Sequence, residues 1–455
     1  MSAAASSLPA TSVESATIRK VRWRLLPYIA LLYVIAYVDR VNVSYAELDM
    51  KRDLAIKAAA YGLVAAIFFI GYFLFEIPSN VILHRVGART WMARILLSWG
   101  IIAVATGFVH SVGQLYVARF LLGVAEAGFF PGMVLYLTYW FRAREQARAF
   151  AFFMLAQPIA FIVGAPTGGF ILDHVQWAGL QGWRWVFILQ GIPAIVLGVV
   201  TFFYLTDRPR QAHWLGAEER DWLEGEIARE HEEKQRKHQI SQWQALRNPR
   251  VLHLTAIYFG IVLGFYGLNF WLPTIVKQID PSYSNTNIGV IAMIPYVVGG
   301  VAMVLNGWHS DRTLERKYHT MACTVIAAIG LIGVATFRHN AALAVTFLCI
   351  VAVGNFGYIA PFWALPALFL SEASAAVGIA LINSIGNLGG FFGPYIVGQK
   401  ASETNATKGL FILAASFLAA TVLLALLRAE PLEAAEEERE VAGAARRRPG
   451  RPSTA

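Results

Sequence analysis

Twelve runs of mostly apolar residues, each about as long as a bilayer is thick, limit this chain to very few folds. A hydrocarbon core about 30 Å thick takes about 20 helical residues per crossing. Lipid offers the backbone no hydrogen-bond partners, so each crossing must satisfy its own. The runs fall at 24–46, 60–82, 91–110, 114–136, 147–171, 184–205, 251–276, 288–308, 319–337, 341–369, 373–397 and 408–428. The expected fold class is therefore an all-α membrane protein with twelve transmembrane helices. Composition agrees: 57% of residues are hydrophobic and 15% charged, against about 25% charged in an ordinary soluble domain.

The runs divide six and six about one long polar stretch. The expected organisation is a tail at 1–23, a six-helix bundle at 24–205, a linker at 206–250, a second bundle at 251–428 and a tail at 429–455. An even number of crossings leaves both ends on one side. Counting the basic residues at the run ends with the adjoining loops (Arg24, Arg148, Arg184, Lys408 and Arg428), the N-terminal tail, even-numbered loops and C-terminal tail hold 27 Lys and Arg, the odd-numbered loops 8. Without the linker the balance is still 18 to 8. Basic loops stay cytoplasmic, so both termini are expected there, in a bacterial inner (plasma) membrane. The net charge of +9 is thus a topology signal, and nucleic acid is not an expected partner. No cleavable signal peptide is evident before the first run. Cys323 and Cys349 lie within apolar runs and read as small buried side chains. The linker is expected to hold a solvated helix at about 217–238, and the C-terminal tail to be disordered.

The two halves echo each other. His84-Arg85-Val-Gly87 follows the second run, and Asp311-Arg312 follows the eighth, 227 residues later. Gly164-Ala-Pro166-Thr-Gly168-Gly169 in the fifth run is matched by Gly393-Pro394 in the eleventh, with prolines 228 apart. Two pairs at nearly one offset indicate an internal duplication. The loop around Asp311-Arg312 resembles the signature loop of the major facilitator superfamily. Its first-half copy departs from that pattern, with Asn80 for the usual glycine and His84 for the usual aspartate. In this it resembles the anion:cation symporter branch. So do Tyr37-Val-Asp39-Arg40-Val-Asn42, Glu76-Ile-Pro78-Ser79-Asn80, Glu126-Ala-Gly-Phe-Phe-Pro131-Gly132 and Asn269-Phe-Trp271-Leu-Pro273. The resemblance implies a substrate site near the bilayer midplane, between two bundles that rock about it. Arg85, Gly87, Asp311, Arg312, Pro166 and Pro394 are the expected gating positions. The glycines allow close helix approach and the prolines can bend their helices.

Ionisable residues deep in apolar runs are costly, about 2.5–3.5 kcal/mol each on insertion scales, and so mark function. The first run holds Asp39 and Arg40, the fourth Arg119 and Glu126. At 1.5 Å per residue, Asp39 lies roughly 22 Å from the cytoplasmic entry. Arg119 and Glu126 are two helical turns apart on one face. If they face a common cavity, the four make a chain from the outside to the centre. A guanidinium stays charged and grips a carboxylate through paired hydrogen bonds. Burial favours a neutral carboxyl, and a nearby guanidinium favours the ionised one. An anion that engages the guanidinium therefore promotes protonation of its neighbour. Asp39 and Glu126 are accordingly the expected proton sites and Arg40 the anion ligand, with Arg119 tuning Glu126 or guiding the anion. Tyr37, Tyr72, Gln157, Asn355, Tyr358, Trp363, Asn383 and Asn387 are the expected polar contacts for a hydroxyl-bearing substrate. Glu76 and Arg94, near the cytoplasmic ends of their runs, read as gate or packing groups.

The expected function is proton-coupled uptake of a small organic acid anion: a tartrate-like hydroxy acid, a sugar acid or an aromatic carboxylate. An antiporter or uniporter of the same fold is the main rival. The expected partners are the anion, protons and the lipid bilayer, with the chain acting as a monomer. No cofactor or metal is expected. An enzyme is disfavoured because the chain has neither an H-E-x-x-H pair nor a serine nucleophile elbow.

Overall fold

The computed structural model describes residues 10–237, 248–369, 372–402 and 405–427. The expectations for the C-terminal tail and for linker residues 238–247 lie outside these. Among the described residues the structure is helical, apart from turns and one isolated bridge, Ser402–Asn405. The first six crossings are α1 (Ala10–Asp53), α2 (Ala58–Val86), α3 (Ala88–Thr106), α4 with α5 (Val112–Glu126, Phe129–Thr138), α6 with α7 (Ala143–Met154, Ala156–His174) and α8 (Gly182–Tyr204). Helix α9 (Ala217–Lys237) occupies the linker where the sequence indicates one. The last six are α10 (Pro249–Ile279), α11 (Asn285–Thr313), α12 (Lys317–Thr336), α13 with α14 (Ala341–Gly357, Ile359–Phe369), α15 with α16 (Glu372–Asn387, Gly389–Lys400) and α17 (Leu410–Leu426).

Eleven crossings among the described residues are long and apolar enough to span a bilayer. The one expected at 373–397 is divided at Leu388 into helices of 16 and 12 residues. Nor does the first helix start at residue 24. It begins at Ala10, because Val13, Ile18 and Val21 give the preceding segment a buried face. The fourth crossing is also two helices. Ala127 turns out of helical geometry at ψ 132° and Gly128 takes φ 85°. A Cβ on Gly128 would lie 2.3 Å from the Ser79 hydroxyl, so no larger residue fits. Pro131 then sits in the first turn of α5, where a missing N–H is harmless. This break makes Glu126 the last residue of α4.

The first six crossings pack largely among themselves, α3 on α8, α2 on α4 and α1 on α7 and α8. The last six do likewise, with α10 against α15, α16 and α17. The two groups meet along α7–α11, α2–α16 and α1–α10. Their backbones touch at the end bearing the turns at 54–57 and 280–284, here termed distal. A Cβ on Gly62 would lie 2.9 Å from the Gly398 Cα, one on Gly289 2.3 Å from the Ala165 carbonyl, and one on Gly169 2.2 Å from the Asn285 carbonyl. Asp173 accepts from both the backbone N–H (2.7 Å) and the hydroxyl (2.8 Å) of Thr286. Tyr61 donates to the Phe270 carbonyl at 2.7 Å.

At the opposite end, which carries the linker, ion pairs join residues of one group. Buried Arg142 bonds Glu14 and Glu145 and lies 3.6 Å from Glu226 of α9. That clasps the linker helix to the first group. Between α2 and α3 stands Gly87 alone, at φ 91° and ψ 152°, a region essentially reserved for glycine. A Cβ there would meet Asp207, which accepts from the Arg89 N–H at 2.7 Å and so caps α3. Gly87→Ala is expected to cost about 1–3 kcal/mol, read as a lower melting temperature in detergent. An unchanged melting temperature would show that this backbone position is not strained by a side chain.

Candidate functional site

Both groups of helices contribute to one buried cavity. From the first, Tyr37, Arg40, Tyr72 and Gln157 line it; from the second, Tyr358, Trp363, Asn383 and Asn387. All eight are residues that the sequence singles out. Among the described residues, Arg40 is the one lining residue that carries a full charge, and the second group offers amides and rings. Water centres have ≈ 30 Å³ to occupy, space for about two molecules. Nothing much larger than water fits as the helices stand.

Arg40 is the hub. Its Nη2 donates to Glu126 Oε2 at 2.8 Å, and its Nη1 to the Tyr266 hydroxyl at 3.3 Å. That hydroxyl lies 3.2 Å from the hydroxyl of Tyr37. The rings of Tyr37, Phe68 and Tyr72 stand 5.0, 5.2 and 5.3 Å from the guanidinium carbon, within cation–π range. Both members of the Arg40–Glu126 pair are buried. Glu126 ends α4, where the free carbonyls repel a carboxylate. Arg40 offsets that repulsion, while Glu126 Oε1 has no hydrogen-bond partner among the described residues.

The four charges do not form the simple line that depth alone suggests. Adjacent residues on a helix point about 100° apart, so Asp39 and Arg40 face different ways. Asp39 accepts from Asn42 at 2.9 Å, and its second oxygen is unpartnered among the described residues. Arg119 donates through Nε to the Val64 carbonyl at 3.4 Å, with both terminal nitrogens likewise unpartnered. Both are fully buried behind the cavity wall, within electrostatic reach of each other and of Glu126. Asn355 is buried but does not line the cavity.

The expected gating residues sit at the ends. Arg85 is exposed beside Gly87. Asp311 pairs with Arg316 at 2.6 Å, and Arg312 lies over Trp308 at 5.6 Å. Pro166 packs beside Gly289 of α11, and the Pro394 carbonyl accepts from Trp271 Nε1 at 3.2 Å. Arg94 stacks on Trp91 within its own helix.

Residues 29–394 match the family model of the Major Facilitator Superfamily. The chain belongs to that superfamily. It is 42% identical over 426 residues to an Agrobacterium vitis protein named "Putative tartrate transporter", covering 92% of this chain and 97% of that one. It is 40% identical over 418 residues to a "Quinolone resistance transporter" of Acinetobacter baumannii, covering 92% and 96%. The xylose transporter XylE from E. coli shares the fold at a TM-score of 0.71 and 14% identity, covering 90% of this chain and all of that one. This protein is a multi-pass membrane transporter, not an enzyme.

Some site residues of this superfamily member escape the sequence. Tyr33 and Tyr258 line the cavity, and Tyr266 bonds Arg40. Tyr258 and Tyr266 are eight residues apart, near one face of α10, which is the signal that marks them. Glu76 reaches the second group outright, accepting from Asn383 and Ser384.

Proposed function

We propose that the chain is a proton-coupled symporter of a small organic acid anion, working by alternating access. The single supporting observation is Arg40: it lines the cavity and holds the buried Glu126 with the same guanidinium. A substrate carboxylate that takes hydrogen bonds from Arg40 weakens its hold on Glu126. The carboxylate then carries a charge at a helix C-terminus with less compensation, and it binds a proton. Asp39, buried with a free oxygen, is the second proton site. Arg119, unpartnered behind the wall, tunes both. The amides of Gln157, Asn383 and Asn387 suit hydroxyl groups, which favours a hydroxy acid or sugar acid; the name carried by the Agrobacterium vitis relative leans the same way.

In this reading bundles 24–205 and 251–428 rock about the cavity. The end bearing the linker is cytoplasmic, by the distribution of Lys and Arg, in a bacterial inner membrane, and the monomer suffices. Asp39→Asn and Glu126→Gln, at expression equal to the parent, are each expected to lose proton-driven accumulation. Full accumulation by both would overturn the assignment. An antiporter is the second reading, favoured by the resistance-transporter relative. Outward substrate driving proton entry in everted vesicles would decide for it.

A further inference from the structure

Glu76 takes no part in the chemistry above. It stands in α2, one turn past Tyr72, and is 2% exposed. Both of its carboxylate oxygens bond across to α15. Asn383 Nδ2 donates to Oε1 at 2.8 Å, and the Ser384 hydroxyl donates to Oε2 at 2.6 Å. Both donors are neutral. Among the described residues, the charged and titratable groups in electrostatic reach are Arg40, Tyr72 and Tyr258, and Arg40 is already bound to Glu126.

Position gives the contact its meaning. Residue 76 lies about 27 Å along α2 from its distal start, against about 6 Å for Gly62. The distal seal is therefore a backbone contact on one side of the cavity, and Glu76–Asn383–Ser384 is a polar contact on the other, towards the linker. Asn383 also lines the cavity. A carboxylate enclosed without a cation is destabilised unless it takes a proton. Once α2 and α15 part, water reaches it and the ionised form is restored.

We propose that Glu76 is a proton-binding latch between the two groups of helices. Protonated, it holds α2 against α15 and closes the linker side of the cavity. Ionised and hydrated, it releases them. The proton comes from water on the linker side. In the closed state the new O–H donates to Ser384, whose hydroxyl turns to accept, while Asn383 keeps its bond to the other oxygen. The latch rests on the alternating-access reading but not on symport or on any substrate.

The test uses the full-length protein in nanodiscs without substrate, with Cys323→Ala and Cys349→Ala removing the native thiols. Spin labels go on Val86→Cys and Tyr318→Cys, exposed positions at the linker end of each group. Asp39 and Glu126 stay native, so that Arg40 remains bound to Glu126, and the Glu76→Gln protein separates their titration from that of Glu76. Double electron–electron resonance then reads the distance from mildly acidic to mildly alkaline pH. The parent is expected to shift from short to long distances as pH rises. Glu76→Gln, which keeps a hydrogen-bonding amide, should stay short throughout, and Glu76→Ala should stay long. A parent that does not shift, or a Glu76→Gln protein that shifts as the parent does, overturns the latch. Neither result depends on whether uptake follows a proton gradient, which is measured separately.

Discussion

Arg40→Ala is expected to abolish uptake and to lower folding stability by about 3–5 kcal/mol, the usual result of removing one partner of a buried ion pair. Glu126 would keep its burial and its place at the end of α4, but would lose the 2.8 Å bond that holds its charge. Stability and transport are separable here. Adding Glu126→Gln to Arg40→Ala removes the orphaned charge, so melting temperature should recover while uptake stays absent. Arg40→Lys should fold, because a cation remains, yet transport poorly. An ammonium is a point charge and cannot reproduce the flat fork that serves Glu126, Tyr266 and a substrate together. Uptake within twofold of the parent by Arg40→Ala would remove Arg40 from the substrate path.

Gly398→Val is expected to trap the transporter with its distal end open. A Cβ at 398 would lie 2.8 Å from the Gly62 Cα and 2.9 Å from the Ala58 carbonyl. These are backbone atoms, which cannot rotate away. Overpacking costs about 1–3 kcal/mol. In the proposed alternating-access cycle, separation of the groups at this seam relieves that strain. A bias of that size changes the open-to-closed ratio about 5- to 150-fold. The protein should insert and purify normally but fail to transport. A cysteine placed at Asn285, within the same seal, should label faster than in the parent by a similar factor. Normal transport with unchanged labelling would show that the Gly62–Gly398 contact does not govern access.

Most of the fold is legible in the sequence because the bilayer imposes a length and a polarity that few residues can violate. The cavity is legible for a related reason: a polar residue deep in an apolar run has few places to point, and eight of those singled out line one cavity from the two groups. What stays hidden is orientation between helices. Lipid-facing and bundle-facing surfaces are both apolar, so periodicity says little about which face turns inward. Depth places Asp39 and Arg40 together, yet only Arg40 reaches the cavity. The close approach of Gly128 to Ser79, 49 positions away, is not in the local pattern. Glu76 reads as a group at a helix end, because its partners Asn383 and Ser384 lie 307 and 308 residues away.

In the proposed mechanism, occupancy of Arg40 by an anion is coupled to protonation of its carboxylate neighbours. The most direct measurement is uptake by the purified protein in proteoliposomes, with and without an inward proton gradient. The substrate would be a hydroxy acid such as tartrate, or a better binder found by thermal shift. Accumulation above the external concentration is expected only under the gradient, with protons entering alongside the anion. Equilibration to the same level in both conditions would contradict it, and would return Asp39 and Glu126 to the role of a salt-bridge network that holds α1 and α4 together.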